Sequence, residues 1–169
     1  MTFTTVSSKV AADVAGISYR QLDYWARTGV VEPSVSAAGS GSSRGYSPAD
    51  VIALRIVNSL EVLGIDLEVC RRVISDVRDS LERDVSRGIL VVSCLGAEIL
   101  FSAEELAQRL LDLPSAASVM PLWSLVDHLD ADVVAVERRH HSARNMVSRG
   151  GYGHRPWPTT SPLDEPGPR

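Results

Sequence analysis

Residues 16–33 read Gly-Ile-Ser-Tyr-Arg-Gln-Leu-Asp-Tyr-Trp-Ala-Arg-Thr-Gly-Val-Val-Glu-Pro. Leu22, Trp25 and Ala26 recur in this stretch at the spacing of one helical face. Ser18 stands where an N-cap residue is expected, and Gly29 is a typical helix stop. The stretch therefore predicts a short amphipathic helix that begins after Ser18 and ends at Gly29.

A second short helix is predicted immediately upstream. Val10, Ala11 and Val14 share one helical face, and the pattern stops at Gly16. Two short helices joined by a tight turn that contains glycine are typical of a helix-turn-helix.

Downstream, the sequence predicts a β-hairpin wing. Glu32 precedes Pro33, and a residue before proline is pushed toward extended geometry. A Gly/Ser-rich stretch over residues 34–43 then leads to Arg44-Gly45-Tyr46. A flexible tip between two short extended arms is the pattern of a hairpin.

Two more helices follow the wing. The first is predicted to begin at Ser47-Pro48, a serine cap before a proline, and to close at Gly64. Its predicted inner face consists of Leu54, Val57, Leu60 and Leu63. The second is predicted from about Asp66, with Val69, Val73, Ile74 and Val77 on its apolar face.

After Gly88 the hydrophobic period becomes that of a strand. Residues 89–93 and 97–101 flank a turn near Leu95-Gly96 and predict a second hairpin. Ser102, with a glutamate three positions on, predicts a capped helix that ends before Pro114. A β-β-α unit of this size is too small to fold alone and needs a partner surface.

The last predicted helix starts near Pro121. Its apolar positions alternate at steps of four and three, which is the seam of a coiled coil. The seam consists of Leu122, Val126, Leu129, Val133, Val136, His140, Ala143 and Val147. This spacing favours a dimerisation helix, although a single helix buried in a self-contained core would produce the same face.

Together these patterns predict a mainly α fold with small β-hairpins, in four parts. They are a winged helix-turn-helix DNA-binding domain over residues 1–80, a β-β-α linker or effector-like module over 81–118, a dimerisation helix over 119–149, and a disordered tail over 150–169. The tail is predicted from its glycines and its five prolines.

Composition limits the function classes. The 169 residues are 44% hydrophobic and 22% charged, as in a globular protein, and the net charge of −4 argues against a general binder of polyanions. The first sixty residues carry five basic and four acidic side chains, so a DNA-binding face depends on their placement. No run of eighteen apolar residues and no signal-peptide pattern occurs, so we expect a cytoplasmic, nucleoid-associated protein without a membrane partner.

The motifs also resemble a known family. Residues 16–33 closely resemble the recognition helix and the start of the wing in MerR-family transcription regulators, and Arg44-Gly45-Tyr46-Ser47 matches the family's arginine-x-tyrosine at the far side of the wing. The stretch from Tyr19 to Gly29 and the Gly/Ser tip are similar to an actinobacterial branch, whereas Asp23 stands where many members carry arginine.

The resemblance is strong over residues 7–78 and weaker through the β-β-α unit to residues 138–141. It implies a homodimer held by a C-terminal antiparallel helix pair, with two winged heads on pseudo-palindromic double-stranded DNA. It also implies control of a promoter by bending or untwisting the DNA, with RNA polymerase as a further expected partner there.

Residues near the N-terminus of a recognition helix point at base edges in the major groove. Arg20 suits guanine and Gln21 suits adenine, whereas Ser18 and Tyr24 are candidates for phosphate contacts. The whole predicted DNA-binding set is Ser18, Tyr19, Arg20, Gln21, Tyr24, Arg27, Ser43, Arg44 and Tyr46. Asp23 would repel phosphate and is expected to orient Arg20 or Arg27 instead. Leu22 and Trp25 are expected to pack in the core.

No metal, cofactor or enzymatic site is predicted. Cys70 and Cys94 lie 24 positions apart and form no Cys-x-x-Cys pair, so we expect two reduced, partly buried thiols. His140 and His141 are neighbours whose side chains diverge by about 100° on a helix. No catalytic triad, carboxylate pair or phosphate-binding glycine loop stands in a suitable context.

Three questions stay open at this level. Phe101, Met120 and Trp123 either enclose a small apolar effector or serve only as packing. The winged fold would also suit an architectural, excisionase-like DNA-binding factor, which usually lacks a long dimer helix. It would equally suit a protein-interaction adaptor that no longer binds DNA.

Overall fold

A computed structural model of the chain describes residues 3–36 and 44–149, with side chains described as far as residue 144. In chain order, the elements are β1 (Val6–Ser7), α1 (Ser8–Ala15), α2 (Tyr19–Arg27), β2 (Gly45–Tyr46), α3 (Pro48–Val62), α4 (Leu67–Leu81), β3 (Ile89–Ser93), β4 (Gly96–Leu100), α5 (Ala103–Asp112), β5 (Ser118–Pro121), α6 (Trp123–Val126) and α7 (Leu129–Arg149). Within these ranges, no helix is both long and apolar enough to cross a membrane.

The two predicted helices of the helix-turn-helix are confirmed. Gly16 ends α1 in the left-handed region at φ 72°, where an L-residue with a side chain is strained. The Ile17 amide donates to the Ala12 carbonyl at 3.0 Å and closes the turn. Ser18 then caps α2, so the two helices follow one another after only three residues.

The segments predicted to form the base of the wing lie in a small sheet that includes a strand the sequence did not predict. β1 pairs antiparallel with β2, and Val6 lies opposite Tyr46. On the other side, Gly45 exchanges two backbone hydrogen bonds with Val35, at 2.9 and 3.0 Å. Gly45 thus lies between two extended segments, while the Gly/Ser tip at residues 37–43 lies outside the described residues.

Helices α3 and α4 pack against each other and form the centre of the core. The predicted inner positions Leu54, Val57 and Leu60 are fully buried, but Leu63 is 65% exposed, so its predicted place in the core is wrong. The reason is that Leu63 is the C-cap of α3, after which Gly64 turns the chain away at φ 79°.

The second sheet has three strands in the order β4-β3-β5. The hairpin of β3 and β4 confirms the predicted strands, and Ser93 lies opposite Gly96 across a two-residue turn. β5, which the sequence analysis missed, pairs antiparallel with β3 and places Met120 opposite Leu90. The unit is therefore β-β-α-β, and its last strand crosses the boundary predicted after residue 118.

This sheet packs on the helical core through one face. Leu90 is fully buried in the main core, Ile99 and Met120 pack partly against it, and α4 contacts β4. Helix α5 begins at the predicted cap, where the Glu105 amide donates to Ser102 Oγ at 3.1 Å. The small unit obtains its partner surface from the helical core of the same chain.

The predicted C-terminal helix is broken before its main part begins. Residues up to Pro121 are a strand, α6 is a single turn, and His128 adopts φ 64° immediately before α7. Leu122 therefore lies outside the long helix, and Val126 ends the short one. The prediction of one continuous helix from Leu122 is therefore wrong, because the long helix begins only at Leu129.

The first part of the predicted seam is also buried inside its own chain. Leu122, Leu129, Val133 and Val136 are 0–3% exposed and belong to the same core cluster as the helix-turn-helix, because α7 packs against α1. His140 Nε2 lies 2.6 Å from the Asp13 carboxylate of α1. The described first part of this helix thus packs in the core of its own chain.

Candidate nucleic-acid interface

Helix α2 has one buried and one exposed face. Leu22 and Trp25 are 1% exposed and anchor the helix to the core, as predicted. Five positions of α2 fall within an arc of about 140° on the opposite side, at 100° per residue. They are Tyr19, Arg20, Asp23, Tyr24 and Arg27. Among them Tyr19 is 59% and Tyr24 49% exposed, so large aromatic rings and guanidinium groups share an outward surface.

Ser18 and Gln21 hold the start of this helix together. The backbone amide of Gln21 donates to Ser18 Oγ at 3.1 Å. In return, the backbone amide and the hydroxyl of Ser18 both donate to the side-chain oxygen Oε1 of Gln21, at 3.0 and 2.8 Å. A carboxamide oxygen has two lone pairs, and here both are used. Bidentate reading of adenine by Gln21 would need that oxygen, so the structure favours a capping role for Gln21 over base reading.

Asp23 connects the helix to the wing. Its Oδ2 accepts a hydrogen bond from Arg27 Nε at 2.9 Å, one turn along α2. Its Oδ1 accepts at 2.8 Å from Nη1 of Arg44, the residue immediately before β2. The pKa of Asp23 lies below its usual value, and the hydrogen bond from Arg44 is the largest cause of this shift. The predicted pairing with Arg27 is present, whereas Arg44 is a second partner that helical spacing could not indicate.

Tyr46 does not belong to the exposed surface. Its side chain is fully buried, and burial raises the pKa of its phenol. The hydroxyl makes no hydrogen bond of ordinary geometry among the described residues, although the nearby side chains of Arg44 and Ser8 partly offset the effect of burial on its pKa. In this conformation Tyr46 is not accessible for the predicted DNA contact, because its ring packs in the core next to the paired strands β1 and β2.

Of the two remaining residues of the predicted wing, Arg44 is described and Ser43 is not. Arg44 is partly exposed, with 29% of its side-chain surface accessible. Ser43, the other predicted contact in the wing, lies outside the described residues. Of the predicted DNA-binding set, the structure brings together the exposed side chains of α2 and Arg44.

Polar side chains from α3 and α4 donate hydrogen bonds to backbone carbonyls at the C-terminal ends of α1 and α2. Arg71 Nε donates to the Thr28 carbonyl at the end of α2, at 3.1 Å. Arg55 and Asn58 donate to the Val14 and Ala15 carbonyls at the end of α1. Terminal carbonyls lack partners within their own helix, so these contacts fix both helix ends.

The wing base is tied down in the same manner. Asp50 is buried, and its Oδ2 accepts from the Ser34 amide at 2.8 Å and from the Ser47 amide at 2.9 Å. Arg78 of α4 lies 3.7 Å from the other carboxylate oxygen. These contacts join the two arms of the predicted wing to α3 and α4. Sequence reasoning missed the contacts of Asp50 with Ser34 and Arg78 because those residues are far from it in the chain.

Comparison with known proteins agrees with this geometry. The family model described as MerR HTH family regulatory protein matches residues 6–77. That range runs from β1 through the helix-turn-helix and the wing into α4. Residues 6–77 are thus similar to a MerR-type helix-turn-helix domain.

Curated relatives of this chain are found in mycobacteria. Two Mycobacterium tuberculosis proteins, from strains H37Rv and CDC 1551, and one from Mycobacterium bovis are each named an uncharacterized HTH-type transcriptional regulator. Each is 46% identical over 95 residues, which cover 52% of this chain and 42% of the relative. The matched part therefore spans less than half the length of these relatives.

The other predicted sites obtain less support. Phe101 and Trp123 are 45% and 46% exposed, which does not favour an enclosed effector pocket between them. Cys70 is buried and Cys94 is exposed, so only Cys70 fits the predicted buried thiol. Within residues 3–36 and 44–144, no group of three potential ligands is placed to hold a metal ion.

Proposed function

We propose that this chain is a sequence-specific DNA-binding transcriptional regulator. The observation that carries the proposal is the exposed face of α2, on which two tyrosines and two arginines lie opposite a fully buried apolar face. An α-helix fits the major groove, and this one presents both stacking surfaces and guanidinium donors. The MerR-type domain and the names of the curated relatives support the same function.

Arg20 is the proposed base-reading residue. It lies in the first turn of α2, is exposed, and carries a planar fork that matches the two acceptors of guanine. Tyr19, Tyr24 and Arg27 are the proposed contacts to the sugar-phosphate backbone around it. Ser18 and Gln21 then act through the capping box, which sets the angle at which Arg20 leaves the helix.

Arg44 is the proposed contact of the wing. It lies at the end of the Gly/Ser segment and is held next to α2 by Asp23. An arginine in that position reaches the backbone or the minor groove beside the site of the helix. The wing and the helix would thus bind adjacent parts of one half-site.

We further propose a homodimer on a pseudo-palindromic operator, with RNA polymerase as a partner at the promoter. Because Leu122, Leu129, Val133 and Val136 already pack in their own chain, the contact between copies requires another surface in this conformation. From Glu137 to Arg144, α7 is largely exposed. This second half of the helix is the part of the predicted seam that remains accessible.

The proposal is tested by selecting DNA from a random pool with the purified full chain. We expect an enriched inverted repeat that binds with strong salt dependence. Arg20→Ala should weaken binding by about tenfold or more and relax the preference at one base pair of each half-site. Arg44→Ala should weaken binding with little change in preference, and Arg87→Ala, an exposed arginine far along the chain, serves as the matched control.

Two results would overturn the proposal. A wild-type chain that enriches no sequence would favour the adaptor function. Binding that survives both arginine substitutions would show that the interface lies elsewhere. A protein that binds and bends DNA as a monomer would instead favour an architectural role.

A further inference from the structure

The acidic side chain in the middle of the proposed interface needs a physical explanation. Asp23 lies between Tyr19 and Arg27 on the outward face of α2, where a carboxylate would be repelled by phosphate groups. It is 35% exposed and is not removed from that surface by burial. Its presence there is compatible with DNA binding only if its charge is compensated locally.

The compensation comes from two arginines that approach from different elements. Arg27 Nε occupies Oδ2 at 2.9 Å, and Arg44 Nη1 occupies Oδ1 at 2.8 Å. Each carboxylate oxygen thus has its own cation, and the three groups together carry a net charge of +1. The pKa of Asp23 is lowered and that of Arg44 is raised, each first through their mutual hydrogen bond.

The two guanidinium groups keep most of their donors for a ligand. Arginine has five N–H donors, and the carboxylate accepts one from each side chain. Without the carboxylate between them, the guanidinium groups of Arg27 and Arg44 would repel each other and lose their common orientation. With it, the positions of the two forks relative to each other and to α2 are set before DNA arrives.

The contact also determines where the wing begins. Arg44 directly follows the segment at residues 37–43, and its neighbour Gly45 is fixed by backbone pairing with Val35 and Ser7. The Arg44–Asp23 hydrogen bond links the residue immediately before β2 to α2. It connects the two DNA-facing elements across 21 positions of sequence.

We propose that Asp23 is a positioning residue that sets specificity: it orients Arg27 and Arg44 as a pair, so that the wing and α2 engage one half-site together. This inference rests on the proposed DNA-binding function. Asp23 makes no contact with DNA in it and acts through the two arginines. Its removal therefore affects the discrimination between DNA sequences more than the overall attraction to DNA.

The test compares Asp23→Asn with Asp79→Asn, which removes the same charge from an exposed position on α4. Affinities are measured at one salt concentration for the selected inverted repeat and for a scrambled duplex. We expect the specific-to-scrambled affinity ratio to fall about tenfold or more in Asp23→Asn. Its affinity for the scrambled duplex should hold or rise, because one negative charge is lost from the interface. Asp79→Asn should keep the wild-type ratio.

A double substitution separates positioning from a general structural effect. If Asp23 acts through Arg44, then Asp23→Asn should change the ratio much less in an Arg44→Ala background than in the wild type. The unfolding midpoint of Asp23→Asn should stay near that of the wild type, because the side chains of Asp23 and its two arginine partners are all at least partly exposed to solvent. An unchanged ratio in Asp23→Asn, or equal effects in both backgrounds, would overturn the inference while leaving the proposed function intact.

A measurement without DNA covers the case in which the proposed function itself fails. Nuclear magnetic resonance of the Arg44 Nη1–H₂ group, which donates to Asp23, should show faster exchange with water in the free chain of Asp23→Asn than in that of Asp79→Asn. Equal exchange in the two variants would show that Asp23 does not position Arg44. Faster exchange in a chain that selects no DNA would retain the positioning contact and reject the DNA-binding function.

Discussion

At the scale of single residues, Tyr46 shows how a motif and a structure can assign different roles to one side chain. The Arg44-Gly45-Tyr46 motif predicts two DNA contacts, but only Arg44 reaches the surface. Side chains alternate between the two faces of a strand, so Arg44 and Tyr46 would share a face in regular geometry. The sequence could not show that β1 would cover this ring.

The phenol of Tyr46 leads to a stability prediction. Its hydroxyl is buried without a partner in the described residues, and a buried polar group without a hydrogen bond is destabilising. Tyr46→Phe should therefore leave the free energy of unfolding unchanged or raise it by as much as about 1 kcal/mol. DNA affinity should not change. Urea unfolding and a binding titration measure the two quantities.

Tyr46→Ala is the matched control for that substitution. It removes the buried ring and should lower the free energy of unfolding by about 3–5 kcal/mol. If Tyr46→Phe weakened DNA binding tenfold while the fold stayed intact, the hydroxyl would have to contact DNA after a rearrangement of the wing. Tyr46 would then return to the set of binding residues.

At the scale of elements, local sequence patterns predicted the capped helices well. They did not predict the strands whose pairing partners lie far away in the sequence. Ser7, Ser18, Ser47, Asp66 and Ser102 all cap helices through side-chain oxygens. Such caps involve residues two or three positions apart, so the sequence shows them directly. The strands β1 and β5 are short and pair with segments far along the chain, so no local signal distinguishes them from loops.

The C-terminal helix illustrates a different failure. Steps of three and four arise whenever one face of a helix is buried, whether the partner is a second copy or the same chain. The break before α7 lies at His128, whose left-handed conformation is uncommon for a residue with a side chain. Neither glycine nor proline marks this point. The heptad-like spacing of apolar residues therefore runs across the break between α6 and α7 and gives no sign of it.

Arg55 joins the C-terminal elements to the helix-turn-helix. Its guanidinium donates to the carbonyls of Val14 and Leu125 and lies 2.6 Å from the Asp132 carboxylate of α7. Arg55→Met should lower the free energy of unfolding by about 2–3 kcal/mol, since carbonyl groups lose charged donors at a partly buried joint. Arg55→Lys should recover only part of this, because an ammonium group cannot reproduce the planar fork.

The measurement is urea unfolding with Arg72→Met, an exposed arginine on α4, as the control. The control should stay within about 0.5 kcal/mol of the wild type. Equal stabilities for Arg55→Met and Arg72→Met would contradict the role of Arg55 as a joint. They would also indicate that α7 is attached to α1 mainly by its apolar contacts.

At the scale of the whole molecule, placement of charge matters more than its total. The chain carries a net charge of −4, yet Arg20, Arg27 and Arg44 all lie on or beside one face of α2. A low overall charge limits non-specific attraction to DNA, so affinity must come from correctly positioned contacts. This is consistent with a regulator that distinguishes sites rather than one that coats DNA.

Half-site spacing tests whether two such heads act as a rigid pair. A dimer reads half-sites on one side of the duplex when their centres lie about one helical turn apart, or 10–10.5 base pairs. Inserting five base pairs into the selected repeat turns one half-site to the opposite side. We expect this insertion to weaken binding by about a hundredfold, because one head loses its contacts while the other stays bound.

An insertion of ten base pairs separates the effects of rotation and distance. It restores the side of the duplex but moves the half-sites apart by about 34 Å, which a rigid dimer cannot span and a flexibly joined pair can. Loss with both insertions would indicate rigid heads, and recovery with ten base pairs would indicate a flexible joint. If neither insertion changes the affinity and light scattering gives the mass of one chain, the heads bind independently. The homodimer proposal would then be wrong, and the burial of Leu129, Val133 and Val136 within one chain would be the complete role of the predicted seam.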